Sequence, residues 1–306
     1  MDQSPQHKGH IQAILLALFV TFLWSTSWVL VKIGLRSNLP AITFAGLRYT
    51  LAFLCLVPFV IFHPPHRAII RNLPKRTWAE LTLLGIIFYA LTQGAQFVSL
   101  SFLPAVTLNL ILNFSPVVVA LLGRFSGRET ASIGQWAGIL ISVIGVLIYF
   151  LPQAIPAAEI IGLLVAFVGL LANAGSSVFG RSINSRGSLP PIIVTSISMG
   201  LGGIVMLLTG IFTQGWGTLD LNNWLIIGWL ALVNTAFAFT LWNKTLQTLT
   251  AVESSILNGM MLPQIAILAW IFLGETLTIR QIIGIALVGI WTLVVQVWRY
   301  LPARNI

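Results

Sequence analysis

Ten runs of mostly apolar residues, each 19 to 23 long, follow one another along this chain and are separated only by short polar or turn-forming segments. Each run matches the roughly 20 residues that a helix rising 1.5 Å per residue needs to cross a bilayer core about 30 Å thick. The runs are Ile11–Val31, Ala41–Phe62, Trp78–Leu100, Ala105–Gly123, Ser132–Leu151, Ala157–Phe179, Pro191–Phe212, Trp224–Asn243, Val252–Leu273 and Arg280–Trp298. They take 211 of the 306 residues, which leaves no room for an extramembrane domain. Only 8% of the residues are charged, against about 25% in soluble domains. The expected fold is therefore an all-α integral membrane protein of ten transmembrane helices.

The first run follows Lys8 but is too long for a secretory signal and lacks a small-residue cleavage site after it, so it reads as a mature helix. The net charge of +9 forms no polar basic face of the kind nucleic-acid binders carry, and no nucleic-acid partner is expected. Its distribution instead reports topology. With the N-terminus inside, twelve Lys and Arg residues fall on the inner side and three (Lys32, Arg36, Arg280) on the outer side, with Arg48 inside a run. Positive residues mark the cytoplasmic face, so both termini should be cytoplasmic in a cell inner membrane. The single cysteine, Cys55, excludes an intramolecular disulfide, and no metal site or cofactor is expected.

Sliding the chain by 146 residues aligns its halves. Leu103-Pro104-Ala105-Val106 falls on Leu249-Thr250-Ala251-Val252, and Gly127-Arg128-Glu129-Thr130 on Leu273-Gly274-Glu275-Thr276. From each glutamate a Gln follows at +6 (Gln135, Gln281) and a Gly at +9 (Gly138, Gly284), with Pro116 and Pro263 upstream. Residues 11–151 and 157–298 thus read as two repeats of five helices, flanked by tails 1–10 and 299–306. Five is odd, so the second repeat should enter the membrane inverted, an arrangement that in transporters places the substrate site between the repeats.

The segments Pro116–Gly138 and Pro263–Gly284, with Trp24-Ser-Thr-Ser and Gly46-Leu-Arg48-Tyr49, resemble the signature of the EamA-type exporters of the drug/metabolite transporter superfamily, over nearly the whole chain. The chain departs from that pattern at Trp291, which stands where Gly145 does in the first repeat, and at Ser25, where a Trp-Gly pair is usual. The resemblance implies a ten-helix, two-fold pseudosymmetric fold whose central cavity opens alternately to each side, and export of amino acids or other small metabolites.

Polar side chains at membrane depth should face a neighbouring helix or a cavity. They gather in runs 1, 3, 4, 6, 8 and 9, which are expected to line the cavity, and are scarce in runs 5 and 10. Carboxamides supply donors and an acceptor each, so Gln93, Asn109, Asn113, Asn173, Asn234 and Asn258, with the indoles of Trp24 and Trp242, are the candidate contacts for a small-molecule substrate. Interhelical hydrogen bonding is the competing use of each. Asn109 and Asn113 share a helix face, as do Ser254 and Asn258. Pro116 and Pro263 each remove a backbone hydrogen bond and are the candidate hinges. Ala172, Ser176 and Gly180 form a small-residue stripe suited to close packing.

Charged residues within the runs are few. Glu80, Glu159, Glu253 and Arg280 lie near run ends and are expected to reach headgroups. Arg48 sits about 10 Å into its helix and either pairs with carbonyls or faces the pathway. No run holds an Asp or His, which favours uniport or exchange over proton coupling, with Glu253 keeping the alternative open. An intramembrane enzyme would need a base or metal ligand beside Cys55 and has none nearby. A carrier of sugar nucleotides, lipid-linked groups or drug-like cations is the closer rival. Membrane lipid is the other partner, and monomer and homodimer both remain open.

Overall fold

The computed structural model describes residues 5–37, 39–126, 133–150 and 159–298, and all secondary structure among them is helical. Numbered in chain order, the long helices are α1 (Pro5–Arg36), α2 (Ala41–Ile61), α3 (Lys75–Phe102), α4 (Ala105–Arg124), α5 (Ile133–Phe150), α6 (Ile160–Asn184), α7 (Pro191–Gln214), α8 (Leu221–Thr245), α9 (Ala251–Leu273) and α10 (Ile279–Trp298). Among the described residues eight helices, all but α5 and α10, are long and apolar enough to cross a membrane. The Gly127–Thr130 motif and the tail 299–306 lie outside the described residues. Helix α1 begins at Pro5, not at Ile11 where the apolar run starts. Pro is well suited to a first helical turn, and hydropathy does not report a helix that continues into polar sequence.

The boundary between the third and fourth runs is a genuine break. Leu103 is extended at φ −111°, ψ 150° because the residue before a proline is disfavoured in the α region, and α4 restarts directly after Pro104.

The first helix of each repeat packs mainly on the other repeat. Helix α1 lies against α8 and α9, whereas α6 lies against α3 and α4. The seam between repeats is α2 on α7, and α5 pairs with α10 to one side. No hydrophobic effect drives helices together in lipid, so close backbone approach must supply the contact. Glycines provide it: a Cβ on Gly46 would run into the backbone of Leu207, and one on Gly210 would stand 2.5 Å from the Thr43 nitrogen.

Two interruptions recur in matching helices of the repeats. In α3, residues Gly85–Gln93 form a π-helix, and in α8 residues Leu232–Phe237 do the same. Shifting Gly85 by 146 gives residue 231, so the loosened turns coincide. In each, a threonine hydroxyl reaches back five residues, Thr92 to the Ile87 carbonyl and Thr235 to the Leu230 carbonyl. Helices α4 and α9 are broken at Asn113-Phe114 and Gly259-Met260, just ahead of Pro116 and Pro263. The missing proline N–H withdraws one rung of the ladder, and three-residue turns take over, such as Phe114 N–H to the Ile111 carbonyl and Met260 N–H to the Leu257 carbonyl.

Candidate functional site

These interruptions surround a central cavity. It encloses about 840 Å³ of space, open solvent at its mouth included. Trp24, Gln93, Asn109, Asn113, Asn173, Trp242 and Asn258 all contribute to its wall. Of the substrate contacts expected from sequence, Asn234 alone is not in that wall: its amide turns to α1, donating to the Leu23 carbonyl and to Thr26 Oγ1 at 3.0 Å. Helices α1, α3, α4, α6, α8 and α9 line the space, and no described side chain of α5 or α10 does. Helix α2 joins them through Arg48 and Tyr49.

The polar groups are partly committed to one another. Asn113 Nδ2 donates to Asn109 Oδ1 at 3.1 Å, as their spacing predicts, and Asn173 Nδ2 donates to Ser115 Oγ at 3.0 Å. The Tyr49 hydroxyl donates to Gln93 Oε1 at 2.7 Å. Others have no protein partner: Trp24 Nε1 and Asn258 Oδ1 are buried without a hydrogen bond among the described residues. Such groups cost about 1–3 kcal/mol each when left unmade, and a bound polar solute would satisfy a donor and an acceptor here. In α9 Ser255, rather than Ser254, shares the wall with Asn258. Ser176 and Ser177 both donate to the Asn173 carbonyl, at 2.8 and 2.9 Å, and of the two Ser177 is in the cavity wall.

An aromatic wall faces these carboxamides. The Trp24 ring lies 4.8 Å from Phe239 and 4.9 Å from Trp242, and Tyr49 stacks edge-on with Phe239 at 5.9 Å. Phe239 escapes a sequence reading because apolar side chains are the background of any membrane helix.

Around the cavity, two cations bridge the packing groups. Lys32 on α1 donates to the Leu100 and Leu103 carbonyls at the end of α3, at 2.7 and 2.6 Å, and Arg181 on α6 donates to the Leu246 carbonyl at the end of α8, at 2.6 Å. Leu246 follows Leu100 by 146 residues, so the same device is built into both repeats. Cations are well placed at helix C-termini, where carbonyls lack intrahelical partners.

The run-end carboxylates divide. Glu80 is tied to Arg186 at 2.7 Å and to Arg76 at 3.3 Å, on the surface. Glu253, expected at the headgroups, is instead 2% exposed. It closes a capping box with Thr250, whose hydroxyl accepts from the Glu253 N–H, and lies 3.3 Å from His10 Nε2. The Thr-x-x-Glu spacing that ties it down is a capping signature.

Helices of membrane-crossing length that enclose a central cavity between two related halves define a multi-pass membrane protein. The EamA-like transporter family model matches residues 11–151 and again 160–296. The chain belongs to that family. It is 27% identical over 290 residues, 89% of this chain and 91% of the relative, to a probable amino-acid metabolite efflux pump of Salmonella typhimurium. It is 24% identical over 275 residues, 86% of this chain and 85% of the relative, to an S-adenosylmethionine/S-adenosylhomocysteine transporter of Chlamydia muridarum. One solved crystal structure shares the fold at TM-score 0.73 and 17% identity, covering 95% of this chain and 99% of that one.

Proposed function

We propose that this protein exports amino acids or closely related small metabolites across the cell inner membrane, by alternating access between two inverted five-helix repeats with ten crossings in all. The observation that carries the reading is the cavity wall, to which α3, α4, α6 and α9 contribute carboxamides and α1, α2, α3 and α8 aromatic side chains. That wall suits a small solute with a polar head and an apolar body. One relative is named for amino-acid metabolites, and S-adenosylmethionine, named for the other, carries an α-amino acid group. A phosphorylated or nucleotide-sugar cargo is less well served, since Arg48 is the one cation in the described wall and phosphate calls for several donors of positive charge.

The basic residues put both termini in the cytoplasm, Pro116 and Pro263 mark where the helices bend as the repeats rearrange, and transport proceeds by uniport or exchange without catalysis. The test is uptake of radiolabelled neutral and aromatic amino acids into proteoliposomes holding the purified protein, with and without an imposed pH gradient. Saturable uptake indifferent to the gradient is expected. No uptake of any amino acid would overturn the substrate class, and uptake that needs the gradient would overturn the coupling.

A further inference from the structure

Arg48 is 3% exposed, lies on the cavity wall, and has only neutral neighbours. Its Nε donates to Thr235 Oγ1 at 2.6 Å and its Nη2 to the Asn234 carbonyl at 3.3 Å. The guanidinium carbon stands 5.2 Å from the Tyr49 ring centre and 5.9 Å from that of Phe97. The ion pairs among the described residues join His10 to Glu253 and Glu80 to Arg76 and Arg186, so no described carboxylate reaches Arg48. A guanidinium keeps its charge throughout the accessible pH range, and a charge buried at membrane depth without a counter-ion is costly. The cage orients the group and leaves its charge uncompensated, with its other N–H groups not bonded to any described residue. Beside it, the Tyr49 hydroxyl occupies Gln93 Oε1, which leaves the Gln93 NH2, bonded to no described residue, as a second donor in the same wall.

We infer that Arg48 is the docking point for the substrate's carboxylate, with the Gln93 amide as its second donor, and that the cargo is a monocarboxylate at that end. A single guanidinium matches one carboxylate by paired N–H···O bonds, while a phosphate dianion would keep a net negative charge in the cavity. This inference rests on the reading of the cavity as the transport route, and it goes further in fixing which end of the solute α2 reads.

The experiment compares three probes in proteoliposomes of the full chain: L-phenylalanine, L-phenylalaninamide, in which a neutral carboxamide replaces the carboxylate and the amino group stays, and phenylacetate, which keeps the carboxylate and lacks the amino group. Each is run with the unaltered protein, Arg48→Lys and Arg48→Gln, with the melting temperature of every variant measured in detergent. Expected are transport of phenylalanine at least about tenfold better than of its amide, a KM raised about tenfold in Arg48→Lys, which keeps the charge but loses the fork, and loss of that preference in Arg48→Gln. Arg48→Lys also keeps the inference testable if Arg48→Gln fails to fold. Equal handling of acid and amide, or a KM for phenylalanine unchanged in Arg48→Lys, would overturn the Arg48 assignment and leave the amino-acid reading standing. Transport of phenylacetate alone, with the same Arg48 dependence, would overturn the amino-acid reading and leave the carboxylate site standing. Transport of none of the three would overturn both.

Discussion

The two repeats share their mechanics and differ in what they present to the cavity. Both have a π-helical turn in the third helix, a break ahead of proline in the fourth, and a cation from the first helix holding the end of the third. At matching wall positions 146 residues apart, Gln93 and Gln96 of α3 face Phe239 and Trp242 of α8, and Asn109 of α4 answers to Ser255 of α9. The scaffold has stayed duplicated while matching wall positions have diverged, carboxamides in α3 answering to aromatic rings in α8, so the cavity is asymmetric although its frame is not.

Making the polar side resemble the aromatic one should have the largest effect. Gln93→Phe removes the acceptor of the Tyr49 hydroxyl and the amide donor together, and flux of a transported amino acid should fall at least about tenfold at unchanged membrane abundance, each lost hydrogen bond costing roughly 1 kcal/mol. The reverse change, Trp242→Gln, is expected to lose affinity for aromatic amino acids more than for small ones, measured as a ratio of uptake KM values. Asn109→Ala should lower flux about threefold to tenfold; unchanged flux across the panel would remove that residue from the site. Pro116→Ala and Pro263→Ala restore a backbone donor at equivalent breaks, and each should slow turnover with little change in KM. An effect from only one of the two would show that the repeats do not move alike. The smallest effect is expected from Glu253→Gln, which keeps the capping box and should leave transport indifferent to a pH gradient. Loss of gradient-driven accumulation in that variant would make the His10–Glu253 pair a proton site.

Helix positions were largely legible because hydropathy is a local property, and the Pro-linked breaks because proline acts on its own backbone. The π segments were not, since nothing in the composition of Gly85–Gln93 or Leu232–Phe237 marks an extra residue per turn. Asn234 shows the limit for site residues: an intramembrane amide reads the same whether it faces a cavity or a neighbouring helix, and its partner Leu23 is 211 positions away in sequence. Arg48 was undecided for the same reason, as its bond to Thr235 spans 187 positions. Glu253 lay close enough to a helix start for headgroups, but its own N-terminal turn claimed it.

If the cavity between the repeats is the route of transport, a side chain in its wall is open to each side of the membrane in turn. Cys55 is the one cysteine in the sequence, so a Cys55→Ser, Ser177→Cys protein carries a single thiol in the cavity wall. Labelling that thiol with a membrane-impermeant reagent added to either face of oriented vesicles tests the claim directly. Reaction from both faces, slowed at each by a transported amino acid, is the predicted result; reaction from one face only, at a rate no solute alters, would contradict it.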